Sequence, residues 1–341
     1  MKAEVCWYFD INMAIKTTNG LMKHLRDHGI DINGSTEKRQ LRNLGYYHLY
    51  KGYRFYRVSA NRLPFTDFEK IHRTYEYDIE LKNLLYRWTI FLETAFKNVI
   101  LQSTIEFIKS DKIRDFYDNA LESGPTLPVN AKQKEKKDAT SSKLGEIRFL
   151  QNKILESYNH KNPIIQHHYD QSDQVPIWGL FEILMFGDLG QLTRCLKLDL
   201  RKKISQEIGL NLQNDKEARM LEHYIFLIKD LRNAIAHDNV VYDGRFIQNT
   251  KAKGLRNDCI TYLENKTSIK GINFNTIEDI LILVCYLLKL LGVQKRQIKS
   301  LVNSYISLTK DFIADMNDPA ITSKQIRSDT LSKANKILAF L

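Results

Sequence analysis

TDFEKIHRTYEYDIELKNLLYRWTIFLETAFKNVILQSTIEFIK (residues 66–109) keeps one period along its length. Phe68, Ile71, Tyr75 and Ile79 fall on one stripe, and Leu84, Trp88, Phe91, Leu92, Ala95 and Val99 continue it. That is the spacing of a helix that buries one face. Thr66 to Glu69 reads as a capping box: the Thr66 side chain accepts from the third backbone N–H beyond it, and Glu69 reaches back. So long a run is expected to break or bend.

Working outward, helical periodicity dominates and no strict repeat is present. Residues 123–142 change character. Gly124, Pro125 and Pro128 oppose regular structure, and Lys132, Lys134, Lys136 and Lys137 follow without apolar periodicity. This predicts a mobile, basic surface loop. Helical patterns resume over 143–158. They continue over 177–186, break at Gly187-Asp188, and run on to Leu196 with Asp188 as a cap. Asp199 and Asp215 cap helices near 200–208 and 216–237. The segment 239–275 is rich in Gly, Asn, Thr and Tyr and has room for a short hairpin. Helices near 277–291, 294–314 and 322–340 close the chain. The expected fold class is all-α, with an N-terminal basic-aromatic segment (1–65), a helical domain (66–341) and the insertion at 123–142.

A hydrophobic fraction of 43% in 341 residues supports a real core. A net charge of +11 attracts polyanions, so nucleic acid, an anionic membrane face or an acidic protein are the candidate partners. Cys6, Cys195, Cys259 and Cys285 stand far apart, which suggests neither a zinc site nor a disulfide framework, and reads as buried thiols in a reducing cytosol. The N-terminus lacks the pattern of a signal peptide. The greasiest run, Ile280 to Leu291, is too short to span a bilayer and carries Lys289; it reads as a central core helix. The expectation is a cytoplasmic protein without a membrane segment, cofactor or metal.

Chemistry concentrates in LEHYIFLIKDLRNAIAHDNVVYD (221–243). Leu221, Tyr224, Ile225, Ile228, Leu231 and Ile235 form a core stripe, and Arg232 and His237 stand at its end as R-x4-H, the pattern of HEPN ribonucleases. Asn233 and His237 share a helical face. Arg232 and His237 are about 140° apart on an ideal helix. They converge only if the helix ends or distorts there, or if a second copy faces the first. Metal-free RNA cleavage uses the ribose 2′-OH as nucleophile. It needs a group that moves protons near neutral pH, which His supplies, and a fixed cation against the phosphorane charge, which Arg supplies. The competing reading is structural, with both side chains satisfying helix-end carbonyls and pairing with Asp230 or Asp238. Arg42 to His48 is a second formal match, as R-x5-H.

A second constellation spans 42–57. Arg42, His48, Lys51, Arg54 and Arg57 interleave with Tyr46, Tyr47, Tyr50, Tyr53, Phe55 and Tyr56. Cations hold phosphates while aromatic faces stack unpaired bases. Tyr46 and Tyr50 are expected inside and the basic residues outside. Gly45 and Gly52 would allow close backbone approach.

RNAIAHDNVVYD resembles the LRN-x-x-AH end of abortive-infection proteins of the AbiD/AbiF kind. LRNLGYYHLYKGYRFYR (41–57) is similar to that family's GYY-x-L-x-GY block. Residues 71–98, with a later Glu at Glu93, resemble its long helical block. PIWGLFEILMFGDLGQL (176–192) resembles its P-x-W…E…FG-x-L block. The resemblance implies an all-helical HEPN-like fold, RNA cleavage or RNA-triggered toxicity, and Arg232, Asn233 and His237 as the active residues. Three positions depart from the pattern. His48 and Val240 stand where the family has Arg, and Asn239 stands where some HEPN toxins carry a modifiable Tyr. The expected function is a phage-defence endoribonuclease, a homodimer joining two copies of the motif, restrained by a structured noncoding RNA. The alternatives are a non-catalytic RNA-binding module and a helical scaffold.

Overall fold

The computed structural model describes residues 17–171, 174–211, 213, 215–247 and 253–341; Cys6 lies outside them. Among the described residues there is no β-strand, only isolated bridges such as Phe55 with Arg62, and the chain is all-α. In chain order the helices are α1 (Thr18–Asp27), α2 (Ser35–Leu44), α3 (Phe68–Ile108), α4 (Ile113–Asn119) and α5 (Gln133–Asn159). Then come α6 (Pro163–Asp170), α7 (Ile177–Ile183), α8 (Phe186–Cys195), α9 (Leu198–Ile208) and α10 (Met220–Ala236). The chain closes with α11 (Lys253–Thr267), α12 (Ile277–Leu290), α13 (Lys295–Met316), α14 (Pro319–Gln325) and α15 (Thr330–Phe340). A π-helix at Tyr46–Lys51 and a 3-10 turn at Gly124–Thr126 complete the set.

The expected interruption of α3 does not occur: its 41 residues are continuous, roughly 60 Å of helix. Neither glycine nor proline falls inside it. Its cap is Asp67, whose Oδ1 accepts from Lys70 N at 2.9 Å. Thr66 is otherwise engaged, its carbonyl accepting from Asp31 N at 2.8 Å while Phe68 N donates back to Asp31 O at 2.9 Å. That clamp moves the helix start one residue along. The buried stripe is also rotated from the expected one. It follows Ile71, Thr74, Asp78, Leu81, Leu85, Trp88, Leu92, Phe96 and Ile100, and leaves Phe91 exposed.

The basic stretch expected as a loop is helical from Gln133 onward. Its Pro and Gly end at Pro128, and the Lys, Glu, Gln and Ala that follow are good helix formers. Glu135 Oε2 accepts from Lys132 N at 2.9 Å and closes the first turn. Gly124 docks on this helix: its N–H donates to Thr140 Oγ1 at 3.0 Å, and an added Cβ would lie 2.6 Å from Lys136 O.

Smaller differences have similar causes. The break before α8 falls at Leu184–Met185, and Asp188 serves inside the first turn, its Oδ2 accepting from Met185 N at 3.0 Å. Asp199 lies in the first turn of α9, behind Lys197. The expected hairpin region holds α11 instead, which buries Cys259, Tyr262 and Leu263; residues 248–252 lie outside the described set. The last expected helix is two, α14 and α15.

The chain divides into two compact units. One comprises Met1–Glu80 and Ser307–Ser328. Its interior holds Tyr53, which donates to Asp78 Oδ2 at 2.8 Å, and Tyr77, which stacks on Phe312 at 4.3 Å. Lys70 pairs with Asp318 at 2.7 Å. The other comprises Leu81–Ile306 and Asp329–Leu341. At its centre α12 is buried from Ile277 to Leu288, the core helix its sequence announced. α15 packs on it through Lys333 Nζ, 2.9 Å from the buried Asp279 Oδ1. Cys195, Cys259 and Cys285 are free, buried thiols. Among the described residues no helix is long and apolar enough to cross a membrane.

Candidate active site

α10 is positioned from its start. Asp215 accepts from Arg219 N and Met220 N, each at 2.8 Å, satisfying two backbone donors that a helix start leaves open. Leu221, Tyr224, Ile225, Ile228 and Leu231 are buried as expected, and Ile235 is half-buried. α8 packs closely against α10, and Gly190 makes room for Phe226, whose ring would stand 3.0 Å from an added Cβ.

The helix ends inside the R-x4-H motif. His237 is its C-cap, with its N–H on Asn233 O at 3.0 Å. Asp238 N donates to Ile235 O at 3.2 Å and Asn239 N to Ala234 O at 2.8 Å. These two bonds make a Schellman stop with Asp238 left-handed at φ 52. The helix is regular through Ala236, so this end falls at the last residue of the motif. Arg232 and Asn233 are half-buried and His237 is exposed.

The side chains are sorted by partner. Arg232 Nε lies 3.2 Å from Glu93 Oε2 on α3, an ion pair without hydrogen-bond geometry, and its Nη1 donates to Asn233 Oδ1 at 3.3 Å. The acids considered as structural partners are engaged elsewhere, Asp230 with Lys229 and Asp238 with Lys82. Among the described residues the His237 imidazole has no hydrogen bond or ion pair. The arrangement is therefore an exposed imidazole at the helix end, five residues from a guanidinium that a carboxylate and an amide hold in place. Such a pair can move a proton and bind a phosphate oxygen. Sequence reasoning named Asp238 only as a partner for the motif's own side chains and missed Lys82, a lysine on the buried stripe of α3 that is only 5% exposed.

The basic-aromatic block belongs to the first unit. Gly45 takes φ 77, which only glycine adopts freely, and turns α2 into the π-helix. Gly52 is ordinary right-handed helix, so its freedom is not used. Tyr46, Tyr50 and Tyr53 are buried. Tyr46 packs against the His24, Tyr47 and Tyr50 rings. Tyr53, inside and bonded to Asp78, offers no face to a base. Tyr47 is 45% exposed, and Arg42 and His48 are exposed. Lys51 lies over the Tyr46 ring at 5.5 Å and Arg54 over Tyr50 at 5.6 Å; Arg57 is half-buried with φ 61. Among Tyr46, Tyr47, Tyr50 and Tyr53, Tyr47 alone is exposed.

No curated protein and no solved structure matches the chain. A family model described as Abi-like protein matches residues 39–243, a span that holds the basic-aromatic block, Glu93 and the whole R-x4-H helix. That match covers more than half of the sequence, and the chain belongs to the Abi-like protein family, the proteins of abortive infection.

Proposed function

We propose that this protein is a HEPN-type endoribonuclease of the AbiD/AbiF kind, a cytoplasmic phage-defence toxin that cleaves RNA without a metal. The observation that carries the reading is the helix end at His237. It exposes an imidazole at the end of the helix that carries Arg232, itself paired with Glu93. An exposed imidazole suits a polymeric substrate. The 2′-OH attacks the adjacent phosphorus as His237 takes its proton. The P–O5′ bond breaks, leaving a 2′,3′-cyclic phosphate and a 5′-hydroxyl that needs a proton in return. Arg232 offsets the charge on the phosphorane oxygens.

Two proton transfers suit two imidazoles, and a two-fold dimer supplies both. Tyr242, expected at that interface with Ile235, is buried within its own chain. A better face is on α3. Tyr86, Ile90 and Phe91 are 48%, 36% and 38% exposed. Tyr86 and Ile90 lie along the helix between Lys82 and Glu93, the residues that touch Asp238 and Arg232. In this reading that apolar strip is covered by the second copy. Tyr47, His48, Lys51, Arg54 and Arg57 are a separate RNA contact, suited to loop bases of a structured noncoding RNA that restrains the toxin.

The test is incubation of the purified protein with RNA in EDTA. The expected products carry 2′,3′-cyclic ends, and His237→Ala yields none. Tight, salt-sensitive binding without cleavage would instead assign a non-catalytic RNA-binding role, which the engagement of Arg232 by Glu93 favours as the second reading.

A further inference from the structure

α10 is gripped twice by α3 at the end that carries the motif. Glu93 holds Arg232, and Lys82 holds Asp238. Lys82 and Glu93 stand roughly three turns apart and within about 20° of each other around the axis, so both face the same way. The Glu93 contact falls on a residue of the motif. The Lys82 contact falls on the residue after it, and nothing in the R-x4-H pattern calls for it.

The Lys82–Asp238 contact is unusual in three respects. Its Nζ–Oδ1 distance is 2.6 Å, yet the lysine is 5% exposed and the aspartate 51%. An ammonium taken out of water is costly unless it is paired, so this lysine is committed to its place. Asp238 occupies the left-handed position of the helix stop, at φ 52, where glycine is the usual residue. Its carboxylate also adjoins His237 in the chain, and an uncompensated negative charge there would repel an incoming phosphate diester or compete for Arg232.

We propose that Lys82 and Asp238 are the positioning pair of the Arg232/His237 site: the ion pair fixes the helix stop that aims His237 and cancels the negative charge beside it. The proposal rests on the ribonuclease reading for its effect on rate, but not for the pinning itself. It assigns neither residue contact with substrate.

The test uses three variants of the full chain. Asp238→Asn and Asp238→Gly keep residues at ease at positive φ, so a mere helix stop would tolerate both. Lys82→Met fills the buried slot without charge. Lys82→Met is expected to unfold at nearly the wild-type midpoint, and Asp238→Asn and Asp238→Gly, which leave the buried ammonium unpaired, at a lower one. In each, assayed under conditions where it is folded, RNA cleavage falls at least tenfold, in kcat with KM little changed. Amide hydrogen exchange at Asp238 and Asn239 is expected to quicken in Lys82→Met and Asp238→Asn, because their bonds to Ile235 and Ala234 lose the pin. Wild-type kcat in Asp238→Asn or Asp238→Gly overturns the proposal, and so does unchanged exchange in Lys82→Met. If the wild-type chain cleaves no RNA, the ribonuclease reading fails, and the exchange rates alone decide whether the pin exists.

Discussion

Two side chains at the end of α10 are proposed to carry the function, and they make different demands. His237 is exposed, so His237→Ala removes little packing and is expected to leave the unfolding free energy within about 1 kcal/mol of wild type. Toxicity on overexpression should vanish. Arg232 is half-buried against Glu93, and Arg232→Ala is expected to abolish toxicity with a somewhat larger loss of stability. Both variants remaining folded and fully toxic would remove the catalytic assignment. Glu93→Gln keeps the shape and loses the charge that orients Arg232, and is expected to lower cleavage about tenfold, measured on a defined RNA. The candidates Arg232, Asn233 and His237 stand out in the sequence because polar residues interrupt an apolar stripe at a fixed spacing. The Lys82–Asp238 pairing does not, because it joins residues far apart in the chain. Tyr46 and Tyr53 show the opposite limit: an aromatic residue between cations reads the same whether its ring faces solvent or the core.

Helices were easy to anticipate and their edges were not. Periodicity placed α3, α10 and α12, whose apolar faces are broad. Starts and breaks depend on which backbone donor finds which acceptor, and so Asp67 displaced Thr66, and the Lys-rich stretch became α5. Two buried ionisable groups on these helices should make stability depend on pH in opposite senses. Burial lowers His223 on α10 to about 4, helped by the nearby Arg256 charge. The unfolded chain binds more protons between about pH 4 and 6.5, so this group's contribution is complete above 6.5 and is lost as pH falls. Burial raises Glu146 on α5 to about 7. Its contribution is complete below about 4.5 and is lost as pH rises through 7. The two slopes oppose one another between about 4.5 and 6.5. Urea melts of Glu146→Gln are expected to show stability rising with pH across that window, and His223→Gln the reverse. Parallel curves for all three proteins would show that neither group titrates as its burial requires. Gly124→Ala, whose new methyl meets Lys136 O, is expected to cost about 1–3 kcal/mol in the same melts.

For the molecule as a whole, charge was the most informative sequence property, and assembly the least. An excess of +11 makes a polyanion the expected class of partner without indicating a site. Charge reversal at Lys51, Arg54 and Arg57 is expected to weaken RNA binding and to flatten its salt dependence, since fewer counterions are released. An unchanged slope would move the contact elsewhere, for example to the lysines at the start of α5. Light scattering at low micromolar concentration is expected to give twice the 40.0 kDa chain mass, and Tyr86→Glu with Ile90→Glu to return the monomer. A wild-type monomer with or without RNA would end the dimer reading. The sequence does not point to the face proposed for the dimer: Phe91 reads as part of the buried stripe, and nothing in the periodicity singles out Tyr86 or Ile90. The three buried thiols have a use of their own. Cys195, Cys259 and Cys285 belong to α8, α11 and α12, and none can be alkylated until its surroundings open. Each is therefore a clock for one helix. With Cys6 replaced by serine, timed labelling and mass spectrometry would show which helix loosens first when RNA is added.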